Sequence, residues 1–205
     1  MLLKYDNIYK FQNLIYKIKK KLLYRLFFEH IGKRSTILKP LRINNPQYIY
    51  LGNKVLINKY TWILTLKVNN KRPKLVIDDG AIIGHYNHIT CIDDVYIGKN
   101  VLIADRVYIS DNYHGYEDVK IPINFQEVKS KRAVYIGENT WIGDNVSIIS
   151  AKIGKHCIIG ANSVVNKDIP DYCVAVGAPA KIVKRYNESK NKWEKTDEKG
   201  QFIEI

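Results

Sequence analysis

Val134-Tyr135-Ile136-Gly137-Glu138-Asn139-Thr140-Trp141-Ile142-Gly143-Asp144-Asn145-Val146-Ser147-Ile148 sets Ile136, Ile142 and Ile148 six places apart, with glycine after the first two. Toward the C-terminus the spacing slips by one residue to Ile153 and continues through Ile159 and Val165. Toward the N-terminus, beyond a long gap, it runs back through Ile109, Ile103 and Ile97 and then, past two extra residues, through Val95, Ile89, Ile83 and Ile77. Glycine again follows the aliphatic at Gly84, Gly98, Gly154 and Gly160. A single amphipathic strand repeats every two residues, so this longer period needs another architecture.

A six-residue period fits a solenoid whose short strands cannot each bury an aliphatic alone and must stack on the coil below. The glycines are expected at corners between faces, where a turn often needs positive φ and a Cβ is disfavoured. The period opens in degenerate form with Leu51-Gly52, Ile57 and Ile63. Polar residues 67–74 interrupt it first and residues 110–133 interrupt it again. The second interruption is long for a structureless connection, and such loops are usually functional.

The chain has 205 residues, 46 % of them hydrophobic, which supports one packed domain with short appendages. No apolar run is long enough to suggest a transmembrane helix, and the first residues lack the pattern of a cleaved signal. Cys91, Cys157 and Cys173 have no metal-ligand spacing and read as small buried hydrophobes. Net charge is +13, and residues 1–34 carry nine Lys or Arg against two acids. That balance favours phosphates, acidic glycans or a membrane surface; it is attached to no recognisable nucleic-acid module.

Three parts are expected: a helical cap over 1–34, a solenoid over 35–186, and a charged extension over 187–205. Residues 7–31 carry apolar positions at helical spacing with a basic opposite face, and Gly32 is the expected stop. The expectation is a helix that caps the solenoid or packs on a neighbouring subunit, with weak attachment to an anionic membrane surface as the alternative. His85 and His88 lie three apart at an outward corner. The remaining histidines do not complete a ligand set, so no metal is expected and both are assigned to the surface or a subunit contact.

The repeat, together with its close in Ile159-Gly160-Ala161-Asn162-Ser163-Val164-Val165-Asn166-Lys167-Asp168-Ile169-Pro170 and Val176-Gly177-Ala178-Pro179-Ala180-Lys181, resembles the hexapeptide-repeat acyltransferases over residues 45–186. Within them it is most similar to the sugar and polysaccharide O-acetyltransferases. The resemblance implies a mainly β, left-handed parallel β-helix, a homotrimer with active sites between subunits, and acetyl-CoA as acyl donor; the cytoplasm is the compartment expected from the cysteines and from the lack of a signal or spanning segment in the sequence. The implied acceptor is a sugar hydroxyl of a surface glycan or its precursor. An N-acyltransferase acting on a nucleotide-linked amino sugar and a non-catalytic solenoid that only binds are the alternatives.

Residues 110–118 contain the candidate chemistry. A histidine beside acids suits general-base work, although spacing alone does not separate His114 from an ordinary surface histidine. The resemblance matches His114 to the family's catalytic base. Asp111 is the candidate for orienting its ring, with Glu117, Asp118 and Glu127 in competition. No nucleophile motif is present, so direct attack on the thioester is expected rather than a covalent intermediate. By the same resemblance Trp141 lies near acceptor and donor, Gly143, Gly160 and Ala161 line the pantetheine groove, and Lys167, Lys181 and Lys184 meet the nucleotide phosphates.

Overall fold

In the computed structural model, which describes residues 23–203, the aliphatics of the six-residue period point into one continuous core. Ile77, Ile97, Ile136, Ile142, Ile148 and Ile159 have no exposed surface. Each such side chain contributes about 1.5–3 kcal/mol of burial relative to exposure. Parallel short strands stack into three faces. The first holds His30–Ile31, Ile49–Leu51, Lys74–Ile77, Asp94–Ile97, Val134–Ile136 and Lys152–Ile153. The second begins with Thr36–Ile37, Leu56–Ile57, Ile82–Ile83, Leu102–Ile103, Trp141–Ile142 and Ile158–Ile159. The third holds Arg42–Asn44, Trp62–Thr65, His88–Cys91, Tyr108–Ser110, Ser147–Ile149 and Val164–Val165.

The repeat glycines do not supply the positive φ that the sequence suggested. That conformation falls two residues later, on Asn100, Asn139, Asn145 and Asn162 among others. Asparagine tolerates the left-handed region, and its amide spans to the next coil: Asn100 Nδ2 donates to Asn139 Oδ1 at 3.2 Å, and Asn145 Nδ2 to Asn162 Oδ1 at 3.2 Å. The glycines are required by close approach instead. A Cβ on Gly137 would lie 2.5 Å from the carbonyl carbon of Gly154 and the nitrogen of Lys155, and one on Gly143 would lie 2.8 Å from the nitrogen of Ala161.

Every irregularity of the period falls at one corner, between the third and first faces. It contains the 3-10 turn Pro46–Tyr48, the excursion 66–73, the two extra residues 92–93, the insertion 111–133 and the shortened turn at Ser150. The other two corners carry the regular glycine and left-handed turns, so departures from the six-residue period are confined to one edge of the solenoid.

The ends differ from expectation. Helix occupies 23–27, and the solenoid opens at His30, which pairs with Tyr50, rather than after residue 34. Phe28 is buried in the core immediately after the helical turn, and that commits the next residues to the first coil. Most of the expected amphipathic helix lies outside the described residues. At the other end Lys181–Asn187 pairs antiparallel with Cys173–Val176 and then with Lys192–Lys195, so the extension closes the second face. Lysines on the last strand discourage further edge pairing.

Candidate active site

The insertion is a built element. Asn112–His114 pairs antiparallel with Val128–Ser130, and the tip folds through a 3-10 turn at Ile123–Phe125. This β-ribbon leaves the solenoid at the variable corner and places His114 opposite Val128, exposed to solvent. Among the described residues nothing hydrogen-bonds the His114 ring, so its nitrogens are open to a substrate.

Asp111 does not orient that ring. Its carboxylate is fully buried and turned back into the coil beneath. Oδ2 accepts from the backbone N–H of Asp93 at 2.8 Å and of Asp94 at 3.0 Å, while Oδ1 accepts from Ile92 N–H at 3.0 Å and Asn112 Nδ2 at 2.8 Å. The donors form a ready-made anion pocket at the corner lengthened by residues 92–93, and the carboxylate goes there because burying three N–H groups unpaired would cost far more. Glu117 pairs instead with Lys129 at 3.0 Å, and that hydrogen bond holds its carboxyl below the usual range. Asp118 Oδ1 accepts from Lys120 N–H, and Glu127 meets the ribbon through its backbone carbonyl.

Trp62, His88 and Tyr108 form an outward column on the third face; the sequence singled out only His88, as a surface residue at a corner, whereas it opens the strand His88–Cys91 with its ring packed between the two neighbouring aromatics. Their registers are Trp62 with His88 and His88 with Tyr108. The Trp62 and His88 rings stack at 4.2 Å, and Tyr108 lies 5.5 Å from His88. The signal was present: each residue immediately precedes an inward aliphatic, the same rule that picked out Trp141. From the column's edge Thr90 Oγ1 accepts from Asn112 Nδ2 at 3.1 Å, so this face adjoins the ribbon root.

His88 has a buried, unpartnered Nε2, and burial lowers its pKa. A neutral native ring that charges on unfolding gives stability that is complete above about pH 6.5 and declines as pH falls below that value. Thermal melts of wild type and His88→Gln from pH 8 to pH 5 are expected to converge or cross on the acid side, since the variant lacks this proton uptake. Parallel curves would show that His88 does not titrate in the transition. His85 is engaged differently, with its Nδ1 3.2 Å from Asp105 Oδ1. Among the described residues no three His, Cys, Asp or Glu side chains converge on a metal-sized site.

Trp141 is 49 % exposed on the second face, in register with Leu102 and Ile158. It therefore lies on a different face from the Trp62 column and the ribbon root. Gly143, Gly160 and Ala161 share the corner between the second and third faces: Gly143 N–H donates to Ile159 O at 2.8 Å and Gly160 N–H to Ala175 O at 2.9 Å. The missing Cβ atoms let the coils close on one another there: one on Gly143 would meet Ala161 N at 2.8 Å and one on Gly160 would meet Val176 Cγ1 at 2.7 Å. Lys167 and Lys184 have no acidic partner among the described residues. Lys181 does, its Nζ engaging Glu198 in an exposed pair. The cysteines are fully buried, and burial pushes the Cys157 thiol up to about 12 and raises Cys91 and Cys173 as well, so none offers a thiolate nucleophile.

Residues 133–167 match the family model for the bacterial transferase hexapeptide (six repeats). The chain is 33 % identical over 204 residues to an Escherichia coli protein that carries the name lipopolysaccharide biosynthesis O-acetyl transferase WbbJ, covering 95 % of this chain and 100 % of that protein. It is 38 % identical over 109 residues to E. coli galactoside O-acetyltransferase, across 49 % of this chain and about half, 50 %, of that one. Among solved structures, the N-acyltransferase AntD of Bacillus cereus, in complex with dTDP and 3-hydroxybutyryl-CoA, superposes with a TM-score of 0.67 at 21 % identity, covering 83 % of this chain and 90 % of that one. The solenoid is the left-handed parallel β-helix of this class. The chain belongs to the hexapeptide-repeat acyltransferases and is an acetyltransferase.

Proposed function

We propose that this enzyme transfers an acetyl group from acetyl-CoA to a sugar hydroxyl of a surface glycan or its precursor. The observation that carries the reading is the position of His114, presented with a free ring on a ribbon built at the one variable corner of a full-length relative of an O-acetyl transferase. In the reaction the acceptor hydroxyl donates to the His114 ring, which takes the proton as the oxygen attacks the thioester carbonyl. The tetrahedral intermediate collapses with cleavage of the C–S bond, and the departing thiolate recovers a proton from the imidazolium. The inert cysteines and absent nucleophile motif support this direct route.

The small-residue corner at Gly143, Gly160 and Ala161 is the proposed seat of the pantetheine arm, with Trp141 beside the acyl group and Lys167 and Lys184 on the phosphates. Because Trp141 and the ribbon belong to different faces, the reading includes a homotrimer in which one subunit's ribbon faces another's second face. It includes a cytosolic location, with at most weak attraction of the basic N-terminal segment to an anionic membrane. Among the described residues no helix is long and apolar enough to cross one.

Release of free CoA and product mass, measured over glycans, nucleotide sugars and simple sugars, tests the proposal. Acetylation of an amino-sugar amine alone would replace the hydroxyl acceptor, and no turnover of any acyl-CoA would leave a binding module. The combined Lys167→Ala and Lys184→Ala variant is expected to weaken CoA binding about tenfold at low ionic strength, with the difference shrinking as salt screens the phosphates. Unchanged calorimetric affinity at low salt would move the nucleotide elsewhere.

A further inference from the structure

The ribbon that carries His114 is tied down at both of its feet. At the incoming foot Asp111 grips the backbone of residues 92–94 in the coil below, and from the return strand Ser130 Oγ adds a hydrogen bond to Asp93 Oδ2 at 3.2 Å. At the outgoing foot Arg132 reaches the other way. Its Nε donates to the carbonyl of Ser150, Nη2 lies 2.8 Å from Asp168 Oδ1, and Nη1 donates to Asp168 Oδ2 at 3.1 Å. Asp168 is itself fixed, since its Oδ1 accepts from Lys152 N–H at 2.7 Å.

Resting on the acetyl-transfer reading, we infer that Arg132 is a positioning residue: its fork clamps the ribbon bearing His114 to the coil bearing Lys167 and Asp168. The base is thereby held in a fixed relation to the last coils of its own solenoid. Both partners are substantially exposed, at 38 % and 51 %, and an exposed ion pair adds little to stability. A planar guanidinium bound at two parallel points to one carboxylate, and at a third to a carbonyl, fixes direction as well as distance. Lysine at this position keeps the charge and loses the fork. The residue next to Asp168 on one side is Lys167, and on the other is Ile169, which bridges to Ile153 on the first face, so the carboxylate sits beside backbone paired to the solenoid.

Arg132→Lys and Asp168→Asn test the clamp in the full chain. Each is expected to lower kcat about tenfold, the scale of a small misplacement of a reacting group, with the acyl-CoA KM and the melting temperature close to wild type. The double variant is expected to be no slower than the poorer single one, because both changes break the same contact. Limited trypsinolysis after Lys120, in the ribbon, is the second readout: both variants are cut several-fold faster than wild type, and CoA slows the cutting of wild type more than that of either variant. Wild-type kcat together with wild-type cutting rates in both variants overturns the inference, as does strict additivity in the double variant. If wild type transferred no acetyl group at all, the cutting rates without coenzyme would still report whether the clamp holds the ribbon, so failure of the functional reading and failure of the clamp are distinguishable.

Discussion

Replacing His114 with Ala is expected to lower kcat by about two orders of magnitude or more while leaving CoA affinity nearly intact, as for loss of a general base that contacts only the acceptor. The structure makes this substitution clean. The side chain is exposed, hydrogen-bonds nothing among the described residues, and lies in a ribbon held by backbone pairing to Val128–Ser130, so truncation leaves the frame in place. A His114→Ala variant with a normal melt and a wild-type kcat would falsify the assignment. A loss confined to the acyl-CoA KM would instead place His114 on the coenzyme.

The periodic parts of the fold were open to reading because they obey one local rule. An aliphatic every sixth residue must face inward, and the residues beside it must face outward, so Trp141 could be placed on an outer face without coordinates. The same rule, applied to Trp62, His88 and Tyr108 before Ile63, Ile89 and Ile109, yields the third-face column. The role of the glycines was not legible in the same way. Their requirement comes from the backbone of the next coil, such as Gly154 over Gly137, and a contact between residues that far apart leaves no mark in the local pattern. The ribbon was hidden for a related reason: three-residue strands such as Asn112–His114 and Val128–Ser130 have no periodicity to detect, and their pairing depends on the turn between them.

Carboxylate roles were the least accessible from sequence. Asp111, Glu117 and Asp118 all lie close to His114 along the chain, and a strand presents successive residues to opposite sides, so nearness in sequence does not bring side chains together. Lys181 shows the same limit from the opposite direction, since its partner Glu198 arrives only when the C-terminal extension folds back on the last coil. Ion pairs of this kind are set by tertiary closure, which the local sequence does not encode.

Asp111 is where the sequence expectation and the structure give the most divergent outcomes. If it oriented the His114 ring, Asp111→Asn would cost on the order of 10⁴ in kcat while the fold survived, as in a His–Asp dyad. In the structure the carboxylate serves the backbone N–H groups of Ile92, Asp93 and Asp94, and the opposite split is expected. Asp111→Ala should lose about 3 kcal/mol or more of stability, because buried donors are left without an acceptor and the ribbon loses its incoming foothold. Asp111→Asn keeps one oxygen at the corner but turns an NH2 toward the same donors, so its loss should be smaller. In that variant kcat per folded molecule should fall by no more than about tenfold, since the ring never depended on the carboxylate and only the ribbon's position is disturbed. Denaturation midpoints measured alongside active-site-normalised turnover separate the two. A melt like wild type with a thousandfold drop in kcat would return Asp111 to the catalytic centre, whereas a large drop in melting temperature with nearly normal turnover would establish it as the residue that seats the ribbon.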